Sequence, residues 1–325
     1  MSNILTLHAE IAAEDVVAVR GRIAQAHDAL CRQFAGRRDM VELLLICAVA
    51  REPLLFVGPP GTAKSALLNA FRAVCGVAEE EYFQYQITSD TTRDELLGGA
   101  HSSAASSLLT ARVGLLRELF SANSTILNLL LRTIPGGARR SSSIELTSLD
   151  IFVAAVYDIP ERDDIRGLRD RFPVKVESPP MALRDIAAVA RAGLTEDVAG
   201  HCEEAVGGEP LCRLSDFRLA HQFALNEFSR EVRADEGKTT SRFPAFSDDV
   251  LTAFERLVKL LIREDRLFFS DRKLAKIHKL IRVRAWLRGQ SAVTFDDLRL
   301  LAFAGDTHEE ISLLSEKVPV VMTRL

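Results

Sequence analysis

The eight residues Gly58, Pro59, Pro60, Gly61, Thr62, Ala63, Lys64 and Ser65 read GPPGTAKS. They follow a short apolar run, Leu54 to Gly58, and precede a helical pattern that begins at Lys64. A glycine-bearing loop between a strand and a helix leaves backbone N–H groups free to surround an anion. The helix dipole favours negative charge at the same place. A lysine at the mouth of that helix reaches the β- and γ-phosphates of a nucleotide, and the hydroxyl after it suits Mg²⁺. These residues form a candidate ATP or ADP site, with Lys64 on the phosphates and Ser65 as the candidate metal ligand. Ala63 stands where the common pattern has its second glycine.

The second chemical candidate is VGLLRELFSAN, Val113 to Asn123, a buried-strand pattern that runs into Arg117-Glu118. An acidic pair there would complete a magnesium-dependent ATPase. Glu118 supplies a carboxylate able to polarise water, but Arg117 puts a cation at the first place. Charges of +1 and +2 about 5 Å apart repel by roughly 6–7 kcal/mol at an effective dielectric near 20. Three outcomes are open: Arg117 swings away, Mg²⁺ binding weakens, or the guanidinium itself contacts phosphate. A rival strand, VAAVYD (Val153 to Asp158), also ends in an acid and competes for the metal-binding role on pattern alone.

Elements to position these residues are readable in the rest of the chain. Helical periodicity covers Asp15 to Phe34 and Asp39 to Ala50, and Pro53 stops it. Strand patterns occupy Leu54 to Gly58, Tyr82 to Thr88, Val113 onward, Ile151 to Tyr157 and Phe172 to Glu177, with helices between. One of these helices, Asn123 to Ile134, ends at Pro135-Gly136-Gly137. Alternating strands and helices predict a parallel sheet covered on both faces. After Ser178-Pro179-Pro180 the pattern is helical only: Ala182 to Ala192, Leu214 to Val232, Asp248 to Arg263 and Asp271 to Arg288. Ser270 and Thr294 are predicted N-caps, and Thr294 with Asp297 fits a capping box.

With Ala63 before Lys64, GPPGTAKS resembles the MoxR group of AAA+ ATPases, in particular its RavA-like branch. QITSDTTRDELLGG (Gln86 to Gly99) resembles the strand and loop that follow in that group. LLRELFSANSTILNLLL (Leu115 to Leu131) resembles its Walker B strand and next helix, in degenerate form, with Arg117 on the family's aspartate and Glu118 on its catalytic glutamate. GLRDRF (Gly167 to Phe172) resembles the arginine-finger segment, which makes Arg171 the finger. Phe269 to Leu301 resembles the lid, with Arg272 at the sensor-2 position. In this frame Tyr157 takes the polar sensor position, and Arg171 lies fourteen residues on, the family's sensor-to-finger interval. That interval favours the frame over the rival strand. The resemblance spans about Ala26 to Phe303.

What the resemblance implies is a P-loop AAA+ αβα sandwich with a five-stranded parallel sheet (residues 1–180), followed by an all-α lid domain (residues 181–325). It implies a ring, a homo-hexamer or a mixed AAA+ ring, that remodels partner proteins in the manner of a chaperone. It also implies a partner carrying a von Willebrand factor A domain, and a pore hairpin at Gly136 to Leu146 that presents Arg139 and Arg140. ATP or ADP and Mg²⁺ would be the cofactors, with Glu118, Arg171 and Arg272 in catalytic roles. With Arg117 and Tyr157 replacing polar parts of the hydrolytic machinery, hydrolysis is expected to be slow or impaired. The alternative is a non-hydrolysing, nucleotide-stabilised assembly subunit or adaptor.

Composition sets outer bounds. The 325 residues are 47% hydrophobic and 26% charged, with a net charge of −4. That balance argues against non-specific nucleic-acid binding, which needs a basic domain or stripe. RVRAW (Arg282 to Trp286) is read as lid packing with a solvated face rather than as a nucleic-acid contact. The five cysteines have no CxxC spacing and suit free thiols in a reducing compartment. His201, Cys202, Cys212 and His221 lack zinc-site spacing. No apolar run approaches the ~18 residues of a membrane span, and the acidic N-terminal stretch lacks a signal pattern. The expected location is the cytoplasm.

Overall fold

The computed structural model describes residues 11–98, 106–134, 149–180, 209–233 and 241–323. Five strands, β1 (Leu54–Val57), β2 (Tyr82–Gln86), β3 (Val113–Arg117), β4 (Ile151–Val156) and β5 (Val174–Glu177), form one sheet in the order β2-β3-β4-β1-β5. Every pairing is parallel. The expected α/β fold with a five-stranded parallel sheet and a helical lid is therefore present. β2 ends two residues inside its predicted run, and β5 begins two residues inside its own.

Side chains alternate across a strand, so the sheet divides the core in two. Leu54, Phe56, Val113, Leu115, Val153 and Ala155 face one hydrophobic cluster; Leu55, Val57, Leu116, Ala154 and Val156 face the other. The first face is covered by α1 (Ala13–Gln33), α2 (Arg38–Ala50) and α3 (Lys64–Val74). The second carries α4 (Arg93–Leu97), α5 (Ser124–Thr133) and α6 (Arg166–Arg169). Burial on both faces is why β1 and β4 are apolar throughout rather than alternating. Asn123 starts α5 by accepting the Ile126 N–H at 3.1 Å, which sets where the chain re-enters the layer after Glu118.

The C-terminal part is helical: α7 (Leu214–Arg233), α8 (Asp248–Glu264), α9 (Asp271–Leu287), a 3-10 segment (Phe295–Phe303) and α10 (His308–Met322). Ser270 caps α9 through the Lys273 N–H, and Thr294 with Asp297 makes the predicted capping box. That box opens a 3-10 segment rather than an α-helix. Trp286 is buried and stacks on Phe243 at 6.1 Å, and Arg282 pairs with Glu231 and the Pro244 carbonyl. RVRAW thus packs the lid. The sequence pattern Ala182 to Ala192 lies outside the described residues.

Ion pairs rather than apolar contact alone fasten the lid to the sheet. Lys175, on β5, has no solvent exposure, and its ammonium donates to Asp306 (2.6 Å) and to the Phe172 carbonyl (2.9 Å). Lys273 on α9 donates to the same Asp306 carboxylate at 2.8 Å. Burial alone would raise the Asp306 carboxyl, but Lys175 and Lys273 outweigh it and hold it at about 2. Each ammonium has only a share of one carboxylate. Burial, together with Lys273 beside it, pushes Lys175 down to about 8 in spite of Asp306. A second junction joins Glu52, just before β1, to Lys276 at 2.9 Å and to Lys279.

Removing one partner of a buried ion pair costs about 3–5 kcal/mol, because the remaining charge stays buried. Asp306→Asn is expected to lose that much in chemical denaturation, and adding Lys175→Met should recover part of it. The depressed Asp306 carboxyl contributes stability above its unfolded pKa of 3.8 and loses it as the pH falls toward about 2. Wild-type melting should therefore steepen its decline in that window, and Asp306→Asn should flatten it. An unchanged midpoint for Asp306→Asn would mean that the junction carries no stability.

Candidate functional site

The Gly58–Ser65 loop sits where β1 emerges between β4 and β5. The Gly58 N–H donates to the Val156 carbonyl at 3.0 Å, and the Ser178 N–H donates to the Val57 carbonyl at 2.7 Å. Gly58 has φ +143, and a Cβ there would stand 2.5 Å from the Ser178 carbonyl oxygen. Only glycine can pass that point. Within the loop, the Thr62 hydroxyl donates to the Pro59 carbonyl at 2.7 Å, and the Ser178 hydroxyl donates to the Thr62 carbonyl at 2.6 Å. Ala63 takes a left-handed conformation, φ +67, which a glycine would hold without strain. No side chain caps α3 after it. The first N–H groups of the helix thus point toward the loop mouth, as an anion cradle requires.

Lys64 folds over this cradle. Its ammonium donates to the carbonyls of Gly58 (2.6 Å) and Pro59 (2.7 Å) and to the Thr62 hydroxyl (3.1 Å). Burial pushes its pKa down; Glu118 opposes this, and Arg117 and Arg37 add to it. Three cations and one carboxylate therefore meet at the loop. Ser65, the expected metal ligand, is the second residue of α3 and is half-buried.

Arg117 ends β3, in register with Gln86 and Ala155. It shares the strand face of Leu115, which is the α3 side of the sheet. It is half-buried. No side-chain hydrogen bond or ion pair is formed by Arg117 among the described residues. Glu118 follows in a left-handed conformation, φ +53; its N–H donates to the Ala155 carbonyl at 2.7 Å, and its carboxylate accepts the Tyr157 N–H at 3.4 Å. Tyr157, which the resemblance puts at the sensor position, is 58% exposed. Asp158, the acid of the rival frame, is engaged by His308 at 2.8 Å, and the same ring meets Glu177 at 3.1 Å. Glu118, not Asp158, is among the charges that act on Lys64.

Arg117 is what weakens the fit of these residues to Mg²⁺. Such a site uses one or two carboxylates with the phosphates; here the protein offers the Ser65 hydroxyl and the Glu118 carboxylate, and the Arg117 guanidinium stands beside that carboxylate. Among the described residues, no group of three His, Cys, Asp or Glu can hold a metal ion.

Arg171 and Arg272 form a second group. Asp170 joins them: it meets the Arg272 guanidinium at 3.5 Å and accepts the Ser270 hydroxyl at 2.6 Å. Burial lowers the Arg171 pKa, Arg272 adds to this, and Asp170 opposes it. The Nε and Nη1 atoms of Arg171 are buried without a hydrogen-bond partner. The charges acting on Arg171 are thus Arg272 and Asp170, whereas those acting on Lys64 are Glu118, Arg117 and Arg37. The site has two clusters, not one. Sequence reading missed Ser178, two residues before the expected domain boundary at 180, and Arg37, which donates to the Pro179 carbonyl at 2.6 Å. Neither lies in a chemical motif. Pro135-Gly136-Gly137, Arg139, Arg140, His201 and Cys202 lie outside the described residues. Cys212 rests against Cys75, Sγ to Sγ 3.2 Å, and His221 meets the Val49 carbonyl.

Comparison with known proteins places this geometry. Residues 21–211 match a family model described as the MoxR domain in the MoxR-vWA-beta-propeller ternary systems, and residues 249–313 match a AAA lid domain. Two uncharacterized proteins of Methanocaldococcus jannaschii are each 26% identical to this chain. One aligns over 294 residues (86% of this chain, 69% of that protein) and the other over 280 (82% and 67%). A crystal structure from Cytophaga hutchinsonii, described as that of a candidate ATPase, covers 96% of both chains with a TM-score of 0.67 at 12% identity, a likeness of fold. Among the described residues, no helix is long and apolar enough to cross a membrane. With the phosphate loop, the sheet order and the lid all in place, the chain belongs to the MoxR family of AAA+ ATPases.

Proposed function

We propose that this chain binds ATP or ADP at Gly58–Ser65 and works as a chaperone-like remodeller of partner proteins, with slow or impaired hydrolysis. The observation that carries the second half is Arg117: a half-buried cation without a partner among the described residues, close enough to Lys64 to depress its pKa. Glu118 remains to orient water, but its carboxylate is shared with the Tyr157 N–H. The sensor position holds an exposed tyrosine in place of the polar side chain that would fix the attacking water.

Arg171 and Arg272 are the finger and the sensor-2 residue of this reading. Their separation from the charges around Lys64 supports a role across a subunit boundary, in a homo-hexamer or a mixed AAA+ ring. Two buried nitrogens of Arg171 without acceptors are what an anion from a neighbouring subunit would satisfy. The description of the matched family, a MoxR domain in systems that include a vWA protein, supports a von Willebrand factor A domain partner. The second reading, a non-hydrolysing assembly subunit in a mixed ring, draws on the same Arg117.

Lys64→Ala should weaken ATP binding at least about tenfold by calorimetry, which is about 1.4 kcal/mol. Unchanged affinity would remove the loop as the phosphate site. Wild-type turnover should be slow, and Arg117→Asp should raise it about tenfold or more, a barrier change of only ~1.4 kcal/mol. Adding Glu118→Gln should abolish the gain. Wild-type turnover equal to that of Arg117→Asp would make this an ordinary ATPase. For the ring, ATP should shift the wild type to a larger species in light scattering, and Arg171→Ala should lose that shift; a chain monomeric with and without ATP would count against self-assembly.

A further inference from the structure

Arg117 poses a problem that its own chain does not solve. A guanidinium keeps its charge at any pH a protein meets, so a half-buried one calls for an anion. Its strand neighbours on the α3 face are Leu115, Ala155 and Gln86, none of which is an acid. Glu118, the carboxylate that acts at the loop among the described residues, accepts from the Tyr157 N–H and also offsets Lys64. Lys64 has no carboxylate within hydrogen-bond reach among those residues and leans on loop carbonyls. The uncapped start of α3 faces the same space. Lys64 and Arg117 thus face a single carboxylate, and the cluster is short of negative charge. A multivalent anion would balance it best if its own charge were not already neutralised by a metal.

We infer that the Gly58–Ser65 site takes a nucleoside di- or triphosphate free of divalent cation, with the Arg117 guanidinium on the phosphate oxygens in place of the metal. This rests on the reading of that loop as the phosphate site. A guanidinium suits this role because it is planar and presents paired N–H donors that match two phosphate oxygens. Lys64 supplies a point charge on one side of the phosphates, and Arg117 a fork on the other. Unlike a hydrated divalent ion, the fork delivers no water to the site, which agrees with slow hydrolysis but does not depend on it.

Calorimetric titration of the full chain with ATP and with ADP, once in excess EDTA and once in excess Mg²⁺, tests this directly. Wild-type affinity in EDTA is expected to equal that in Mg²⁺ within about threefold, or to exceed it. Arg117→Ala should lose about tenfold or more in EDTA and much less in Mg²⁺, while Arg117→Lys should keep part of the metal-free affinity. Lys64→Ala should weaken binding in both buffers. Wild-type binding about tenfold or more weaker in EDTA would overturn the inference while leaving the phosphate site intact, as would an Arg117→Ala chain that binds in EDTA like the wild type. No binding in either buffer would instead overturn the phosphate-site reading, and the inference with it. The wild-type comparison needs no variant, so it holds even if a substitution at Arg117 impairs folding.

Discussion

The Gly58 backbone passes between two strand ends with no room for a side chain. β1 lies between β4 and β5, and its last residues are fastened to both, by the Gly58 N–H on the Val156 carbonyl and by the Ser178 N–H on the Val57 carbonyl. The Ser178 hydroxyl then fixes the loop itself through Thr62. Because four parallel strands, β3, β4, β1 and β5, end together here, everything carried on their C-terminal edges converges: Arg117 and Glu118 from β3, Tyr157 from β4, Ser178 from β5. The loop supplies Lys64 and the free N–H groups of α3. In open parallel sheets ligands bind at this edge, and the pinned glycine is what makes the edge a concave, polar one.

Electrostatics decides what the edge can hold. Arg117 puts a positive charge at the end of β3, next to the Glu118 carboxylate. Lys64 feels both groups: burial lowers its pKa, Glu118 opposes this, and Arg117 adds to it. The opposite solution appears at the lid junction. There Asp306 serves two buried lysines, and the carboxylate is held far down, at about 2. The contrast is informative: where the fold needs a buried cation for itself, it provides an acid, and at Arg117 the described residues provide none. Arg171, with buried nitrogens that lack acceptors, follows the second pattern and marks another place where an anion from outside the chain would be accommodated.

Local signals carried most of the sheet and the phosphate loop. Four largely apolar runs and one aromatic, alternating run (Tyr82 to Thr88) mark β1 to β5, and GPPGTAKS between a strand and a helix marks the cradle without reference to anything distant. Ser270 and the Thr294–Asp297 box are equally local, and both cap as expected, though the box opens a 3-10 segment. Contacts between remote residues were not legible. Lys175 lies inside an apolar strand pattern, and its partner Asp306 is 131 positions away. The Asp170 link between Arg171 and Arg272 joins segments 100 positions apart. Sequence order placed Arg171 and Arg272 in separate motifs; only the packing of α9 against the end of α6 brings them together. The Asp158–His308–Glu177 contact was likewise out of reach, since His308 carries no motif and Asp158 read as a possible metal acid.

Whether Arg117 faces the nucleotide phosphates in place of a metal is the point on which the chemistry turns. Crystals of the wild-type chain grown with ATP and excess Mn²⁺, with anomalous diffraction collected for manganese, test it in one measurement. The expected result is the Arg117 guanidinium within hydrogen-bond distance of phosphate oxygens and no manganese peak between Ser65 and the phosphates. A manganese peak at that position, with Arg117 turned away from the nucleotide, would contradict it.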